Sequence, residues 1–99
     1  MYRVRFSKDV AKDLRRLPAY HRAMIMAAVE NELPKEPTRE TRNRKLLVGL
    51  EPPWTAELPV WELRVGDHRI FYDVSENEKV VYVRAIREKP QGKTTEEIL

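Results

Sequence analysis

Two runs of alternating apolar and polar residues lie on either side of a Gly-Asp dipeptide in the second half of the chain. They span Leu58–Val74, with the sequence LPVWELRVGDHRIFYDV. Alternation with period two is typical of a strand with one buried face, and a two-residue turn that begins with Gly favours a type II′ hairpin because Gly readily adopts φ > 0. The pattern therefore predicts a β-hairpin in which Val65 lies opposite His68 and Arg64 lies opposite Arg69.

The register of this hairpin divides its side chains between two faces. The face predicted to enter the core carries Trp61, Leu63, Val65, Ile70, Tyr72 and Val74. The other face carries Glu62, Arg64, Arg69, Phe71 and Asp73. Two arginines directly opposite each other repel unless an anion lies between them, so the second face is the candidate functional surface.

The first third of the chain predicts a short strand followed by two helices. Strand-like alternation at residues 2–6 leads into Ser7, a favoured helix N-cap residue. Apolar residues with helical spacing continue up to Pro18, which ends the first helix. Residues 19–33 contain helix-forming residues without Gly or Pro. We therefore expect an antiparallel helical hairpin that packs on one face of the sheet.

The remaining segments predict one more strand on each side of the central hairpin. Residues 34–44 contain two prolines and almost no apolar side chain, which indicates an exposed linker before a short strand at residues 45–50. In the proline-rich loop 51–59, Trp54 is predicted to cap the core rather than to stack on a base. Residues 79–87 predict the last strand. Its core face carries Val81, Val83 and Ala85, and its other face carries Tyr82, Arg84 and Ile86, with Arg84 beside Arg69.

The predicted order is strand, helix, helix and then four strands, which corresponds to an α+β fold of two layers. The N-terminal strand and the helical hairpin pack on one face of an antiparallel β-sheet meander. The pairing partner of the first strand stays open. The 99 residues are expected to form one domain. Its residues 88–99 are predicted to be a flexible tail with a capping-box pattern at Thr94 and Glu97.

Composition narrows the classes of function. Charged residues make up 35% of the chain and the formal net charge is +3, which mildly favours anionic partners. Without cysteine there is no disulfide and no thiolate chemistry. No apolar run reaches the roughly 18 residues that a membrane span needs, and the N-terminus lacks the apolar core of a signal peptide. We expect a cytoplasmic protein without cofactors, and no spacing of His, Cys, Asp or Glu indicates a metal site.

The hairpin and its flanking segments resemble a known family. A short strand, the helical sequence Ala11-Lys12-x-Leu14, a second helix and KLLVGL…VWELRVGDHRIFYDV…KVVYVRAIR are similar to the RelE/ParE toxin superfamily over about residues 1–87. The resemblance implies a toxin of a type II toxin–antitoxin system, a class linked to plasmid stabilization, with a cognate antitoxin as its partner. RelE-like members cleave mRNA in the ribosomal A site without a metal, whereas ParE-like members poison DNA gyrase. Homodimer formation is a further possibility.

The resemblance places the functional residues of the family on the predicted open face. Its hairpin arginines fall on Arg69 and Arg64, and a basic residue beyond the last strand falls on Lys89 or Arg87. Where RelE-like members often carry lysines before the turn, this chain has Val60 and Glu62, and no Tyr or His follows Lys89. These departures leave two alternatives to a ribonuclease: a non-enzymatic gyrase poison and an RNA-binding module without toxicity.

Metal-independent RNA cleavage needs a base for the 2′-hydroxyl, an acid for the leaving oxygen and cations against the phosphorane charge. Arginine suits the last role because its guanidinium stays charged and binds phosphate through two hydrogen bonds. The candidate catalytic residues are Arg69, Arg64, Glu62, Arg84 and Lys89. The candidate RNA-binding residues are Lys45, Arg44, Arg42, Phe71, Tyr82 and Arg87. Glu62 is either the base or a surface ion-pair partner of the arginines. His68 is a further acid–base candidate, and His21 is expected to be structural.

Overall fold

A five-stranded mixed sheet and three helices make up the fold in the computed structural model, which describes residues 1–99. In chain order the elements are β1 (Arg3–Phe6), α1 (Lys8–Arg16), α2 (Ala19–Glu32), β2 (Arg44–Leu47), β3 (Val60–Val65), β4 (His68–Ser75), β5 (Val80–Glu88) and α3 (Thr95–Ile98). The strand order is β1-β5-β4-β3-β2. β1 runs parallel to β5, and the other pairs are antiparallel. The predicted α+β architecture is confirmed, and the partner of the first strand is β5.

The central hairpin forms in the predicted register. Both predicted pairs, Val65 opposite His68 and Arg64 opposite Arg69, are present, and the same register continues to Trp61 opposite Tyr72. Of the two turn residues, Gly66 has a φ of 57° and Asp67 does not have a positive φ, as a type II′ turn requires. The backbone N–H of Lys89 donates to the carbonyl oxygen of Asp67 at 2.7 Å. The segment after β5 therefore holds this turn in place.

The helices cover one face of the sheet and form the main core there. Ser7 caps α1 by accepting a hydrogen bond from the backbone N–H of Val10 at 3.2 Å. The buried side chains of this core are Val10, Ile25, Val29, Leu33, Trp61, Leu63, Val65, Ile70, Tyr72, Val81, Val83 and Ile86. Full burial of one such apolar side chain stabilises a fold by about 1.5–3 kcal/mol, so this cluster is the main source of stability. None of the three helices has the length and hydropathy that crossing a bilayer requires.

A β-bulge changes the predicted faces of β5. Tyr72 pairs with Val83, whereas Phe71 pairs with Ala85, so the intervening residue of β5 has no partner on β4. One extra residue exchanges the two faces of a strand beyond it, because side chains alternate with period two. The prediction for the end of β5 was therefore wrong. Ile86 lies in the main core, and Ala85 lies on the opposite face.

The second face of the sheet carries a smaller core of its own. Its buried residues are Leu47, Val60, Phe71 and Ala85, and Leu50, Trp54, Ala56, Ile98 and Leu99 pack against them. The ring of Trp54 lies 5.4 Å from the ring of Phe71, so Trp54 caps this core as predicted. Phe71 is fully buried. This burial contradicts the prediction that Phe71 stacks on an RNA base.

The loop between α2 and β2 is anchored to the fold rather than being an exposed linker. The guanidinium of Arg44 donates to the carbonyl oxygens of Glu32 and Glu36. Arg44 as a whole is only 8% exposed. The hydroxyl of Tyr72 donates to the carbonyl oxygen of Pro37 at 2.6 Å, and burial raises the pKa of this tyrosine. Arg44 is thus held within the fold by hydrogen bonds to the backbone, and its predicted role in binding RNA stays a prediction.

The C-terminal residues return to the second face of the sheet. Thr94 and Glu97 form the predicted capping box at the start of α3. The hydroxyl of the buried Thr95 donates to Oε1 of Glu62 at 2.9 Å. Ile98 packs against the smaller core. The segment predicted as a flexible tail therefore ends in a helical turn that contacts the sheet.

Candidate anion-binding site

Two polar cavities meet at the turn end of the central hairpin. The larger has a volume of about 510 Å³ and no hydrophobic residue in its lining. The smaller, of about 190 Å³, borders β2. Arg64, Arg69 and Lys89 line both cavities. We call these three residues the basic triad. The hairpin turn and the end of β5 bring them together.

Arg69 is held in a fixed position within the basic triad. It is 8% exposed, and its Nη1 donates to the carbonyl oxygens of Gly66 and His68, each at 2.9 Å. Its other guanidinium nitrogens make no hydrogen bond within the protein. Since the side chain is already ordered, these remaining donors can bind an anion with little further loss of side-chain entropy.

Arg64 and Lys89 complete the positive charge of the triad. Arg64 is exposed, and its side chain forms neither a hydrogen bond nor an ion pair. Its position is set by the backbone, where its N–H donates to the carbonyl oxygen of Asn43 at 2.8 Å. Lys89 is half-buried. All five ion pairs of the chain involve other residues, so no carboxylate pairs directly with the triad and its cations can attract anions.

Glu62 borders the basic triad without being paired to it. It lines the smaller cavity, is 7% exposed and accepts the hydrogen bond from Thr95. The predicted surface ion pair with Arg64 or Arg69 is absent, and Lys45 lies opposite Glu62 in the β2–β3 register. One carboxylate oxygen is therefore engaged by α3. The Glu62 carboxylate and the triad thus border the same smaller cavity.

Arg84 lies away from the basic triad. Its Nε and Nη2 donate to the two carboxylate oxygens of Asp73 at 2.8 and 3.2 Å, and these hydrogen bonds raise the pKa of Arg84. Tyr82 lies beneath the Arg84 guanidinium, 4.6 Å from ring centroid to Cζ. Asp73 is four residues from Arg69, about 13 Å along a strand. The predicted neighbourhood of Arg84 and Arg69 was therefore wrong, and Tyr82 is remote from the site with it.

The remaining predicted RNA-binding residues divide into two groups. Arg42 and Lys45 are exposed and line the smaller cavity beside the basic triad. Arg87 lines neither cavity. Its guanidinium lies 5.6 Å from the Trp54 ring centroid and 3.9 Å from a carboxylate oxygen of Asp13. Of these predicted residues, Arg42 and Lys45 extend the cationic surface of the site.

The larger cavity contains residues that the sequence analysis did not single out. Its lining includes Asp67, Glu88, Gln91 and Lys93. Asp67 has a ready explanation as a turn residue, and the others follow or end β5, where no periodic pattern marks a site. His68, proposed as an acid or base, lines neither polar cavity. It is 8% exposed and packs edge-on against the exposed His21, with 5.3 Å between ring centroids.

Comparison with known protein families shows which family this protein belongs to. A family model described as the ParE toxin of the type II toxin–antitoxin system, parDE, matches residues 4–91. The chain belongs to the RelE/ParE toxin superfamily. The predicted resemblance is therefore confirmed, and the RelE/ParE match includes the whole central hairpin and all three members of the basic triad.

Solved structures of RelE/ParE toxins share this fold. An archaeal RelE–RelB complex from Pyrococcus horikoshii OT3 contains a chain that is 30% identical, with a TM-score of 0.70 and coverage of 94% of this chain and 98% of that one. The toxin–antitoxin complex RelBE2 from Mycobacterium tuberculosis gives 25% identity, a TM-score of 0.67 and coverage of 89% and 98%. The isolated Escherichia coli RelE toxin, at 17% identity and a TM-score of 0.60 over 98% and 94% of the two chains, shows the fold alone. A comparison with curated proteins returns no match.

Proposed function

We propose that this RelE/ParE toxin is an endoribonuclease that cuts mRNA in the ribosomal A site and thereby inhibits translation. The observation that carries the proposal is the basic triad. Three cations without ion-pair partners meet at two polar cavities, and one of them, Arg69, is fixed by hydrogen bonds to the backbone. Such a site fits a phosphodiester, because guanidinium binds phosphate oxygens in a defined geometry.

The triad suits the charge that develops when RNA is cleaved. The deprotonated 2′-oxygen attacks the adjacent phosphorus, the bond from phosphorus to the 5′-oxygen breaks, and the phosphorane between these states carries added negative charge. The unengaged nitrogens of Arg69 and the guanidinium of Arg64 can donate to its non-bridging oxygens, while Lys89 adds a third positive charge. One fixed donor aimed at a developing charge contributes roughly 100-fold or more to the rate.

Carboxylates and an ammonium group supply candidates for the proton transfers. Glu62 borders the smaller cavity, and Asp67 and Glu88 border the larger one. Each can take the proton of the 2′-hydroxyl, and Lys89 can return a proton to the leaving 5′-oxygen. Arg42 and Lys45 would then bind the phosphates that flank the cleaved one.

The proposed substrate defines the partners and the compartment. Cleavage on the ribosome places the toxin in the cytoplasm, without a need for a cofactor. The similar structures from Pyrococcus horikoshii and Mycobacterium tuberculosis are toxin–antitoxin complexes. By extension, we assign this chain a cognate antitoxin that holds it inactive.

A gyrase poison is the second candidate function. The matching family model describes a ParE toxin, and neither polar cavity is lined by His or Tyr. Histidine exchanges protons most readily near neutral pH, so a site without it suits binding better than proton transfer. In that case the basic triad would bind anionic groups of the gyrase–DNA complex.

Arg64→Ala offers the sharpest test of the ribonuclease, because Arg64 is exposed and its side chain makes no hydrogen bond or ion pair whose loss would destabilise the protein. Purified toxin is added to ribosomes programmed with a defined mRNA, and cuts are mapped by primer extension. We expect the cleavage rate to fall about 100-fold in Arg64→Ala and in Arg69→Lys, which keeps the charge but loses the fork geometry. Arg3→Ala, an exposed position on β1 at the far end of β5, is the matched control and should cut like the parent.

Equal cleavage rates for the parent and Arg64→Ala would show that the triad has no part in the reaction. Growth arrest with intact mRNA and trapped gyrase–DNA cleavage complexes would establish the second candidate instead.

A further inference from the structure

The C-terminal helical turn holds one of the three carboxylates that border the site. α3 begins at the capping box of Thr94 and Glu97, and its Ile98 packs against the smaller core. These contacts place the hydroxyl of Thr95 against β3, where it donates to Oε1 of Glu62 at 2.9 Å. Both residues are buried, so water competes little for this hydrogen bond.

The second carboxylate oxygen of Glu62 stays free. Oε2 makes no hydrogen bond within the protein and takes part in no ion pair. Solvent still reaches it, since Nε1 of Trp54 is the only buried side-chain nitrogen or oxygen without a partner. Glu62 lines the smaller cavity, and this cavity is therefore where Oε2 is open to a substrate.

Glu62 is the only acidic residue of the smaller cavity. The rest of the lining is Asn43 and five cationic residues, which are Arg42, Lys45, Arg64, Arg69 and Lys89. In RNA each 2′-hydroxyl lies next to the phosphate that follows it. A phosphate bound by the basic triad therefore brings its 2′-hydroxyl to a cavity that contains a single carboxylate.

The other two carboxylates lack the support that α3 gives to Glu62. Asp67 and Glu88 line the larger cavity. Both are exposed, and neither side chain makes a hydrogen bond or an ion pair. A free carboxylate loses side-chain entropy when it is fixed in place, whereas a general base must lie within hydrogen-bond reach of the proton that it takes. Glu62 is thus the carboxylate that the fold has already oriented.

We propose that Glu62 is the base of the cleavage reaction and that Thr95 is its positioning residue, which holds Oε1 so that Oε2 faces the bound ribose. Oε2 takes the proton of the 2′-hydroxyl, and the 2′-oxygen bonds to phosphorus. The bond from phosphorus to the 5′-oxygen breaks, and Lys89 gives this oxygen a proton. Water then removes the proton from Glu62 and restores the one on Lys89. The inference rests on the proposed function and adds to it the choice of base and a catalytic use of the C-terminal turn.

Single-turnover cleavage on ribosomes programmed with a defined mRNA tests both roles. The toxin concentration is varied, so that the saturating rate and the half-saturating concentration are measured separately. Glu62→Gln should lower the saturating rate by about 100-fold or more, whereas Asp67→Asn and Glu88→Gln should each lower it by less than about 10-fold. The half-saturating concentration of Glu62→Gln should stay within about twofold of the parent, because the cations that bind RNA are unchanged.

Thr95 is tested by an isosteric and a conservative substitution. Thr95→Val keeps the shape of the side chain and loses the hydroxyl, and it should lower the saturating rate by about 10- to 100-fold with little change in half-saturation. Thr95→Ser keeps the hydroxyl and should remain within about threefold of the parent. Ser7→Ala removes the N-cap of α1 on the helical side of the sheet. It is the control for lost stability and should cut at the parental rate.

A combined variant separates positioning from a general effect on folding. If Thr95 acts through Glu62, adding Thr95→Val to Glu62→Gln should lower the rate by less than about twofold further. The urea midpoint of each variant gives its folded fraction, and rates are compared per folded protein.

Three results would overturn the inference, and each points to a different error. Equal saturating rates in the parent and Thr95→Val, or a large further loss in the combined variant, would remove the positioning role of Thr95. A greater loss in Asp67→Asn or Glu88→Gln than in Glu62→Gln would make that other carboxylate the base. A parent that leaves mRNA intact would refute the proposed function and, with it, the catalytic role of Glu62.

Discussion

Replacing Arg84 with methionine separates a structural role from the catalytic role that the sequence indicated for this residue. The substitution keeps the aliphatic stem and removes the two hydrogen bonds to Asp73. Asp73 is 0% exposed, so its carboxylate would be left buried without a cation. The basic triad, about 13 Å away along β4, would keep all its contacts.

The size of the effect follows from burial. Removing one partner of a buried ion pair costs about 3–5 kcal/mol. Because the Arg84 side chain is 23% exposed, water reaches part of the pair and we expect the lower end, about 3 kcal/mol. With a urea dependence of about 1.5–2 kcal/mol per M, the unfolding midpoint should fall by about 1.5–2 M. That is a large share of the roughly 5–15 kcal/mol by which domains are stable.

Urea unfolding followed by tryptophan fluorescence measures this shift. Asp73→Asn in the Arg84→Met background should recover much of the loss, since the stranded charge is then gone. Arg15→Met, at an exposed position on α1, is the matched control and should stay within about 0.5 kcal/mol of the parent. An unchanged urea midpoint for Arg84→Met together with lost mRNA cleavage would refute this reasoning. It would mean that Arg84 acts in catalysis rather than in stabilising the fold.

Three further outcomes are expected. Thr95→Val leaves the buried Glu62 without its hydrogen bond and should destabilise the fold by about 1–3 kcal/mol in urea unfolding; an unchanged midpoint would mean that α3 does not hold this carboxylate in solution. Arg44→Met should cost a similar amount, about 1–3 kcal/mol, because buried carbonyl oxygens lose their donor, and it should not alter the salt dependence of RNA affinity; a shallower salt slope would restore Arg44 to the RNA contacts. Hydrogen bonds from Thr94 lower the pKa of Glu97 below its usual 4.5, so the carboxylate stabilises α3 above that pH and this contribution is lost as pH falls through the lowered pKa. Carbon-detected NMR titration of the carboxyl measures this directly, and a Glu97 midpoint at or above 4.5 would contradict the capping box.

The central hairpin shows what the sequence by itself determined. The alternation around Gly66 and Asp67 predicts both the register and the turn type, and the structure has them. Hairpin register is a local property, since a two-residue turn allows one pairing and a slip by one residue would bury charged side chains. The RelE/ParE resemblance could be recognised from the sequence alone, because its most specific residues lie in this one contiguous stretch.

Tertiary structure decided the faces of β5 and the composition of the site. The bulge opposite Phe71 and Tyr72 cannot be predicted from the alternation of β5, because Ala85 and Ile86 after it are both apolar and either could enter the main core. As a result, Arg84 pairs with Asp73 rather than lying beside Arg69, where the sequence had predicted it. Which strand pairs with β1 was likewise a choice between distant segments that no local pattern specifies.

The basic triad itself joins residues from separate parts of the chain. Its hairpin arginines could be read from one strand pair, whereas Lys89 is placed by a backbone hydrogen bond to Asp67, and Glu62 is covered by Thr95, 33 residues away. Polar segments carry no periodic signal, so their docking depends on which donors and acceptors the folded sheet leaves unpaired. Local periodicity therefore determined the strands and the fold class, and long-range hydrogen bonding decided which charges remain free to bind an anion.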